Sequence, residues 1–368
     1  MALLWMEGFE GLGTTEGPSE RANVTARLRN EYEADYVAES GSPFLRSGEV
    51  VGKSMSFGQD ISADGTTLTW NFPRDVLGET IVVGWRFRTR NHTGGPTTHN
   101  LLQVSSYLAG TNGRHLLLTI DYSTGELKIY RGTTLLETSS FSLIANSTWH
   151  SIEVKFNIDN STGSYDVLLN DVSVLSASGI DTKENGINKE TVNTLQWAGA
   201  EALNNDLAAE EFLMDDLYVL DTVGSNNTDF LGSASRVVML SANVDGTTND
   251  FTPQTGINNF AMVDDDPASD TDYNDGSTNG DIDEYGFTNV SEPMILGVML
   301  QTYSKPATNG TRTYRHRVRS GATVGNGIDI GVADDQTDRT LFEVDPNTSA
   351  LWTKTNLNSA EFGVEVRN

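Results

Sequence analysis

Apolar and polar residues alternate with period two along much of the N-terminal half of the chain. Ile152, Val154, Phe156 and Ile158 fall on one face of an extended segment, with Glu153, Lys155 and Asn157 on the other. Tyr165, Val167 and Leu169 repeat the pattern after the turn Asn160-Ser161-Thr162-Gly163. Such alternation predicts half-buried antiparallel strands. Further strands are predicted over 67–72, 80–89, 101–107, 114–121, 126–131 and 192–197. Asp64-Gly65, Asn112-Gly113, Ser123-Thr124-Gly125 and Arg131-Gly132 supply turn chemistry between them. No long amphipathic helix pattern is present, and 206–211 predicts a single turn at most. Many short strands at regular spacing predict a sandwich, not a βαβ fold.

A second β-rich region follows Gly224-Ser225-Asn226-Asn227-Thr228, which reads as a linker or a tight interdomain turn. Its strands are predicted over 235–242, 293–303, 311–319, 327–332, 339–344 and 362–366. The chain is therefore expected to be all-β, with domains at 1–223 and 224–368. The second is expected to be a smaller β-sandwich, with a barrel as the alternative. In the first, the opening run Leu3-Leu4-Trp5-Met6-Glu7-Gly8-Phe9-Glu10 and the closing run Glu211-Phe212-Leu213-Met214-Asp215-Asp216-Leu217-Tyr218-Val219-Leu220-Asp221 bracket the intervening strands. That layout resembles the laminin-G/concanavalin A-like jelly roll, and the resemblance implies that the first and last strands lie side by side. The same sandwich hosts lectins, glycan hydrolases and structural modules, so the fold alone selects no function.

Length and charge narrow the classes. A chain of 368 residues favours two domains. The absence of cysteine excludes disulfides and thiolate metal sites and fits folding in a reducing cytoplasm. A formal net charge of -27 argues against binding bare nucleic acid or an anionic membrane surface. The acidity serves solubility, or recruits cations or basic partners. No segment is long and apolar enough to predict a membrane-spanning helix. Residues 1–9 lack the features of a secretory signal and are expected to form a strand of the fold. The Asn-x-Ser/Thr triplets at Asn23, Asn91, Asn146, Asn160 and Asn289 then read as by-products of a Thr/Asn-rich β composition.

Three constellations are candidates for chemistry. The carboxylates Glu210, Glu211, Asp215 and Asp216 lie at the closing strand. Glycan hydrolases on this sandwich carry three acids two residues apart on one strand, but here Leu213 occupies the middle position. The expected role is structural, with no catalytic residue assigned. The second constellation is the acidic stretch Asp264, Asp265, Asp266, Asp270, Asp272, Asn274, Asp275, Asp281, Asp283 and Glu284, with no Lys or Arg between Arg236 and Lys305. Oxygen ligands at alternating positions suit calcium, which makes Asp270, Asp272, Asn274 and Asp275 the candidate metal ligands. The run begins like an EF-hand loop, but Gly276 is one place late and the terminal Glu is missing. A solvated loop, or one neutralised by a neighbouring subunit, is the structural reading. No other cofactor is expected.

The third constellation is Arg312-Thr313-Tyr314-Arg315-His316-Arg317-Val318-Arg319. On a strand Arg315, Arg317 and Arg319 point to one side, and Tyr314, His316 and Val318 to the other. One basic stripe in an acidic chain is a poor nucleic-acid footprint. Pairing with the acidic stretch, within the domain or across a subunit boundary, is the favoured reading, which makes these arginines interface candidates. Contact with a polyanion or acidic glycan is the remaining one. His92, His99, His115, His150 and His316 show no zinc-like spacing. Trp70, Trp85 and Trp197 sit in apolar strands and are expected in the core, with sugar stacking as the alternative.

The chain also resembles a family of tailed-bacteriophage virion proteins. The phrases that carry this are Asp229-Phe230-Leu231-Gly232 with Arg236-Val237, Asp245-Gly246-Thr247-Thr248-Asn249-Asp250-Phe251-Thr252-Pro253, Asp345-Pro346-Asn347-Thr348, Trp352-Thr353 and Ala360-Glu361-Phe362-Gly363-Val364. The resemblance implies a structural virion component of the tail or tail-fibre-like kind and carries over no catalytic residue. Collagen-like and coiled-coil stalk repeats are missing, so a compact baseplate or appendage subunit is expected. The chain is thus read as non-enzymatic and as a homo-oligomer, taken as a trimer. It would assemble in the host bacterial cytoplasm with other virion proteins, without membrane insertion, and could contact host surface glycan. A capsid decoration or head-fibre protein, and a free carbohydrate-binding or glycan-hydrolysing protein, are the alternatives.

Overall fold

The computed structural model describes residues 2–9, 44–47, 53–58, 68–72, 74–89, 98–108, 111–121, 123–140, 143–145, 147–186, 189–199, 211–265, 268–269, 271–306 and 312–368. The described residues form two compact units, one from Ala2 to Val237 and one from Val238 to Asn368. Both are built from antiparallel sheets, so the chain is all-β.

The first unit contains β1 (Leu3–Glu7), β2 (Phe44–Ser47), β3 (Lys53–Gly58), β4 (Leu68–Asn71), β5 (Thr80–Thr89), β6 (Thr98–Leu108), β7 (Thr111–Asp121), β8 (Glu126–Arg131), β9 (Thr134–Thr138), β10 (Trp149–Asn157), β11 (Gly163–Leu169), β12 (Val172–Ile180), β13 (Thr194–Gly199) and β14 (Glu211–Asp221). An eight-stranded sheet runs β12-β11-β10-β5-β14-β3-β2, with β1 also on β14, and a six-stranded sheet runs β4-β13-β6-β7-β8-β9. The opening and closing strands do pair, with Trp5 opposite Val219 and Glu7 opposite Leu217.

The alternation explains the core. Ile152, Val154 and Phe156 on β10 are buried beside Ile81, Val83 and Trp85 of β5. Leu102, Leu118 and Ile129 form a corresponding buried row in the other sheet. Tryptophans bridge the two sheets. Trp5 stacks on Trp70 at 5.5 Å with an interplanar angle of 2° and meets Trp197 at 6.3 Å. Trp85 and Trp197 are buried, which settles the core role for both. One open side is closed by Glu137 on β9, which accepts hydrogen bonds from the Tyr165 hydroxyl and the Ser176 amide, both at 3.0 Å.

The jelly roll continues past its last strand, beyond the expected break at 223/224. Residues 229–237 lie along the outer face of the eight-stranded sheet. The Gly232 amide donates to Glu153 Oε1 (2.9 Å), and the Ser233 amide donates to Asp171 (2.7 Å). Arg86 Nη1 donates to the Ser233 carbonyl (2.7 Å), and the Val237 amide donates to Asp216 (2.8 Å). Beneath this strap the Tyr218 hydroxyl donates to Glu153. The Tyr218 ring fits because residue 84 is glycine: a Cβ there would lie 2.2 Å from the ring. The strap thus gives partners to charged side chains whose burial would otherwise be costly. It also accounts for a strand expected over 235–242 that does not form. Its first residues belong to the strap, while Val238 and Met239 are exposed.

The second unit contains β15 (Ala242–Asn249), β16 (Thr252–Pro253), β17 (Asn274–Asp275), β18 (Ile282–Phe287), β19 (Val298–Ser304), β20 (Arg312–Ser320), β21 (Thr323–Val332), β22 (Gln336–Phe342), the helical turn α1 (Lys354–Leu357) and β23 (Glu361–Val366). A five-stranded sheet, β15-β18-β23-β20-β21, packs against the β19-β22 pair as a small sandwich. Val318, Leu300, Trp352, Leu357 and Phe362 form its core. Trp352 donates its indole N–H to the Phe342 carbonyl (2.9 Å), and Thr353 caps α1 by accepting from the Asn356 amide (3.1 Å).

Candidate functional site

The acidic stretch is not one loop. Ile282–Phe287 is a central strand, and Asp283 and Glu284 are fully buried on its opposite faces. Asp283 accepts two hydrogen bonds from the Asn259 amide (2.9 and 3.0 Å) and one from the Tyr285 hydroxyl (2.5 Å). Asn274 spends its amide nitrogen on the Asn259 carbonyl (2.8 Å) and the Tyr285 hydroxyl (3.0 Å). Of the other calcium candidates, Asp270 lies outside the described residues, while Asp272 and Asp275 flank Asn274. Among the described residues no cluster of three or more His, Asp or Glu side chains could hold a metal ion.

Burial pushes the Asp283 carboxyl up to about 6, against the opposing hydrogen bonds of Tyr285 and Asn259. Its folded pKa exceeds the ordinary 3.8, so the folded state binds the proton more tightly than the unfolded chain. The resulting stability is fully present below 3.8 and is lost as pH rises through about 6. Against the cost of burial, Glu365 and Asp345 of the same unit are held below their ordinary range by their hydrogen bonds and contribute the opposite trend, so the Asp283 contribution is read as a difference. The melting temperature of the native chain relative to Asp283→Asn is expected to fall from the acid end of this window to pH 7, and a difference that rises with pH would refute it.

The arginine stripe is paired within its own sheet. Arg317 Nε lies 2.7 Å from Glu284, and Arg319 Nη2 lies 2.7 Å from the other Glu284 oxygen. Arg315 and Arg317 reach Glu365 at 2.8 and 3.3 Å. The opposite face of β20 points into the sandwich. His316 sits between Thr302 (2.8 Å) and Thr340 (2.7 Å), and burial pushes its pKa down to about 4. Arg315, Arg317 and Arg319 thus neutralise buried glutamates, one of them from the acidic stretch. Of the β14 acids, Asp215 and Asp216 are buried, Asp216 against the strap. The Glu211 side chain and all of Glu210 lie outside the described residues.

Among the described residues, a candidate ligand surface is the outer face of the six-stranded sheet. Strand register sets Thr69, Gln196, Gln103, Leu117 and Tyr130 in one row across β4, β13, β6, β7 and β8. The next row holds Asn100, Thr119 and Lys128. Leu117 and Thr119 form a buried floor, and Gln196, Gln103, Tyr130, Asn100 and Lys128 are half-buried around it. Among the described residues, the side chains of Gln196, Tyr130 and Asn100 have no hydrogen-bond partner, and Gln103 has only a 3.5 Å contact with Ser105. Lys128 is committed: its ammonium lies 3.1 Å from Asp121 and 3.8 Å from Glu126, and the hydrogen bond to Asp121 raises its pKa. Two residues before Leu117, buried His115 accepts from the Glu184 amide (3.2 Å) and donates to the Thr191 carbonyl (2.8 Å). Burial lowers its pKa, and the neutral ring ties Glu184 and Thr191 to β7. Sequence reasoning missed this face because its members come from five strands with no common spacing.

No protein-family model matches the chain, and no curated protein matches it. Solved structures do. An alginate lyase is similar at 12% identity and a TM-score of 0.39, covering 58% of this chain and 96% of its own. A Trypanosoma rangeli sialidase is similar at 10% identity and a TM-score of 0.33, covering 51% of this chain and 29% of its own. A carbohydrate esterase of Shiga toxin-encoding bacteriophage phi24B is similar at 13% identity and a TM-score of 0.34, covering 50% of this chain and 89% of its own. These likenesses concern fold and transfer no residue roles. They correct the expectation of a non-enzymatic chain, because a lyase, a sialidase and an esterase stand among the structures of similar fold. The missing middle acid on β14 bore on one hydrolase pattern only and was no ground for excluding other glycan chemistry.

Proposed function

We propose that this chain is a glycan-contacting component of a tailed-phage particle, with the outer face of the six-stranded sheet as its ligand surface. The observation that carries the glycan reading is the row Gln196–Gln103–Tyr130 over the Leu117 floor. Amides and a phenol with unspent hydrogen-bonding capacity, held on adjacent strands, suit the hydroxyls of a saccharide, and a small apolar floor suits the C–H face of a sugar ring. Rigid strands limit the ordering cost of binding. The particle assignment is supported by the C-terminal phrases that resemble virion proteins, and assembly as a homo-oligomer would multiply modest affinities.

Calorimetric titration of the purified chain with saccharides bound on an array tests the surface. Gln103→Ala and Tyr130→Ala are each expected to weaken binding about tenfold, or ~1.4 kcal/mol, with the melting temperature unchanged. Unaltered affinity in both variants would remove this face from consideration. Immunogold labelling of intact particles tests the location. Label at the tail supports an adsorption or baseplate role, label over the head selects capsid decoration, and unlabelled particles defeat the virion reading. Release of reducing sugar, followed in the same titrations, reports any turnover.

A further inference from the structure

Resting on the reading of that face as a saccharide site, we infer that its ligand is an uncharged glycan running across the strands, with about three sugar residues in contact. The charge inventory carries the first part. The described strands of the six-stranded sheet hold Arg114, Lys128 and Arg131 as their only lysines and arginines. Register places Lys128 on the outer face, beside Thr119. Arg131 lies opposite Leu116 and pairs with Asp181, and Arg114 donates its Nε hydrogen to the Gly132 carbonyl (3.0 Å). Lys128 sits against both Asp121 and Glu126, which are themselves a cross-strand pair at the end of the same face. One ammonium between two carboxylates leaves that corner negative, within a chain whose formal net charge is -27.

Lys183 and Lys189, which act on His115 two residues before Leu117, are paired with Glu190 and Glu184. A uronate or sialate arriving there would meet repulsion and, among these described residues, no uncommitted lysine or arginine. An uncharged sugar meets amides and a phenol that discriminate by hydrogen bonding alone. Excluding anions in this way is specificity by a repulsive element.

The row's geometry carries the second part. Gln196, Gln103, Leu117 and Tyr130 stand on four successive strands. At about 4.8 Å per strand they span roughly 14 Å, so a polysaccharide laid along the row advances by about one pyranose per strand interval. A chain laid parallel to the strands would leave the row after one sugar and meet Asp121 and Glu126 in one direction.

The test is an array of uncharged glycans (glucans, mannans, galactans and N-acetylglucosamine oligomers) and acidic glycans (uronans and sialosides), probed with the full chain at low ionic strength. Binding confined to the uncharged class is expected, with the best acidic ligand about tenfold or more weaker. Glu126→Gln should narrow that gap, and added salt should narrow it too. Acidic ligands bound as tightly as uncharged ones would overturn the charge assignment while leaving the saccharide site standing. No binding to either class would defeat the saccharide reading itself. With the best uncharged ligand, affinity should climb to the trisaccharide and level off. A further rise of about tenfold at five or six sugars would overturn the cross-strand footprint.

Discussion

Replacing Glu284 by alanine is expected to destabilise the C-terminal unit by about 3–5 kcal/mol, because removing one partner of a buried ion pair leaves the others desolvated without compensation. Glu284 is fully buried between Arg317 and Arg319, each 2.7 Å from one of its oxygens. Arg319 retains Glu361 at 3.4 Å, and Arg317 retains Glu365 at 3.3 Å, so Arg317, the more buried arginine, loses its shorter contact. Glu365 already serves Arg315 and Arg367 as well. The double replacement Glu284→Met with Arg317→Met should recover much of the loss, since an apolar pair of similar volume is often no worse than a buried ion pair. Chemical unfolding with hydrogen exchange read on β18, β20 and β23 measures both. A loss under about 1 kcal/mol for the single variant would show that solvent or neighbouring groups compensate for the missing carboxylate.

The second large effect is expected in the jelly roll. Trp197→Ala should cost about 3–5 kcal/mol, the range for truncating a large buried aromatic. Trp197 is completely buried on β13 and meets Trp5, which belongs to the strand paired with β14 and stacks on Trp70. The indole is therefore part of the packing that joins the two sheets. Trp197→Phe should cost far less. It keeps most of the apolar volume, and the indole N–H it removes is buried without a hydrogen-bond partner. Equal losses in the two variants would place the importance of Trp197 in the N–H and not in the ring.

Much of the first unit was legible from alternation alone. Ile152, Val154 and Phe156 mark β10, and the predicted limits of 80–89 and 126–131 coincide with β5 and β8. The second unit was harder to read for a physical reason. β18 carries Asp283 and Glu284 at its centre, so composition marks it as solvent-facing, and the partners that make both burials tolerable are residues such as Asn259 and Arg317, distant in sequence. Gly363 belongs to the same close packing: a Cβ there would fall 1.8 Å from the Asp283 carbonyl oxygen, a constraint invisible until the strands are paired. β15, with exposed Val244 and several small polar residues, has no apolar face to announce it. The ligand face was hidden more deeply still. Gln103, Tyr130 and Gln196 are unremarkable on their own strands and become a row only through register.

The strap also bears on how this protein can be recombined in evolution. The tight turn around Gly224 looks like a natural seam, yet Gly232, Ser233 and Val237 beyond it supply hydrogen bonds to Glu153, Asp171 and Asp216 of the jelly roll. A crossover at the turn would hand those donors to a foreign sequence, whereas one just after Val237 would transfer the sandwich with its cover intact. The exchangeable cassette therefore ends at Val237, and a different C-terminal module could follow it without reopening the sheet.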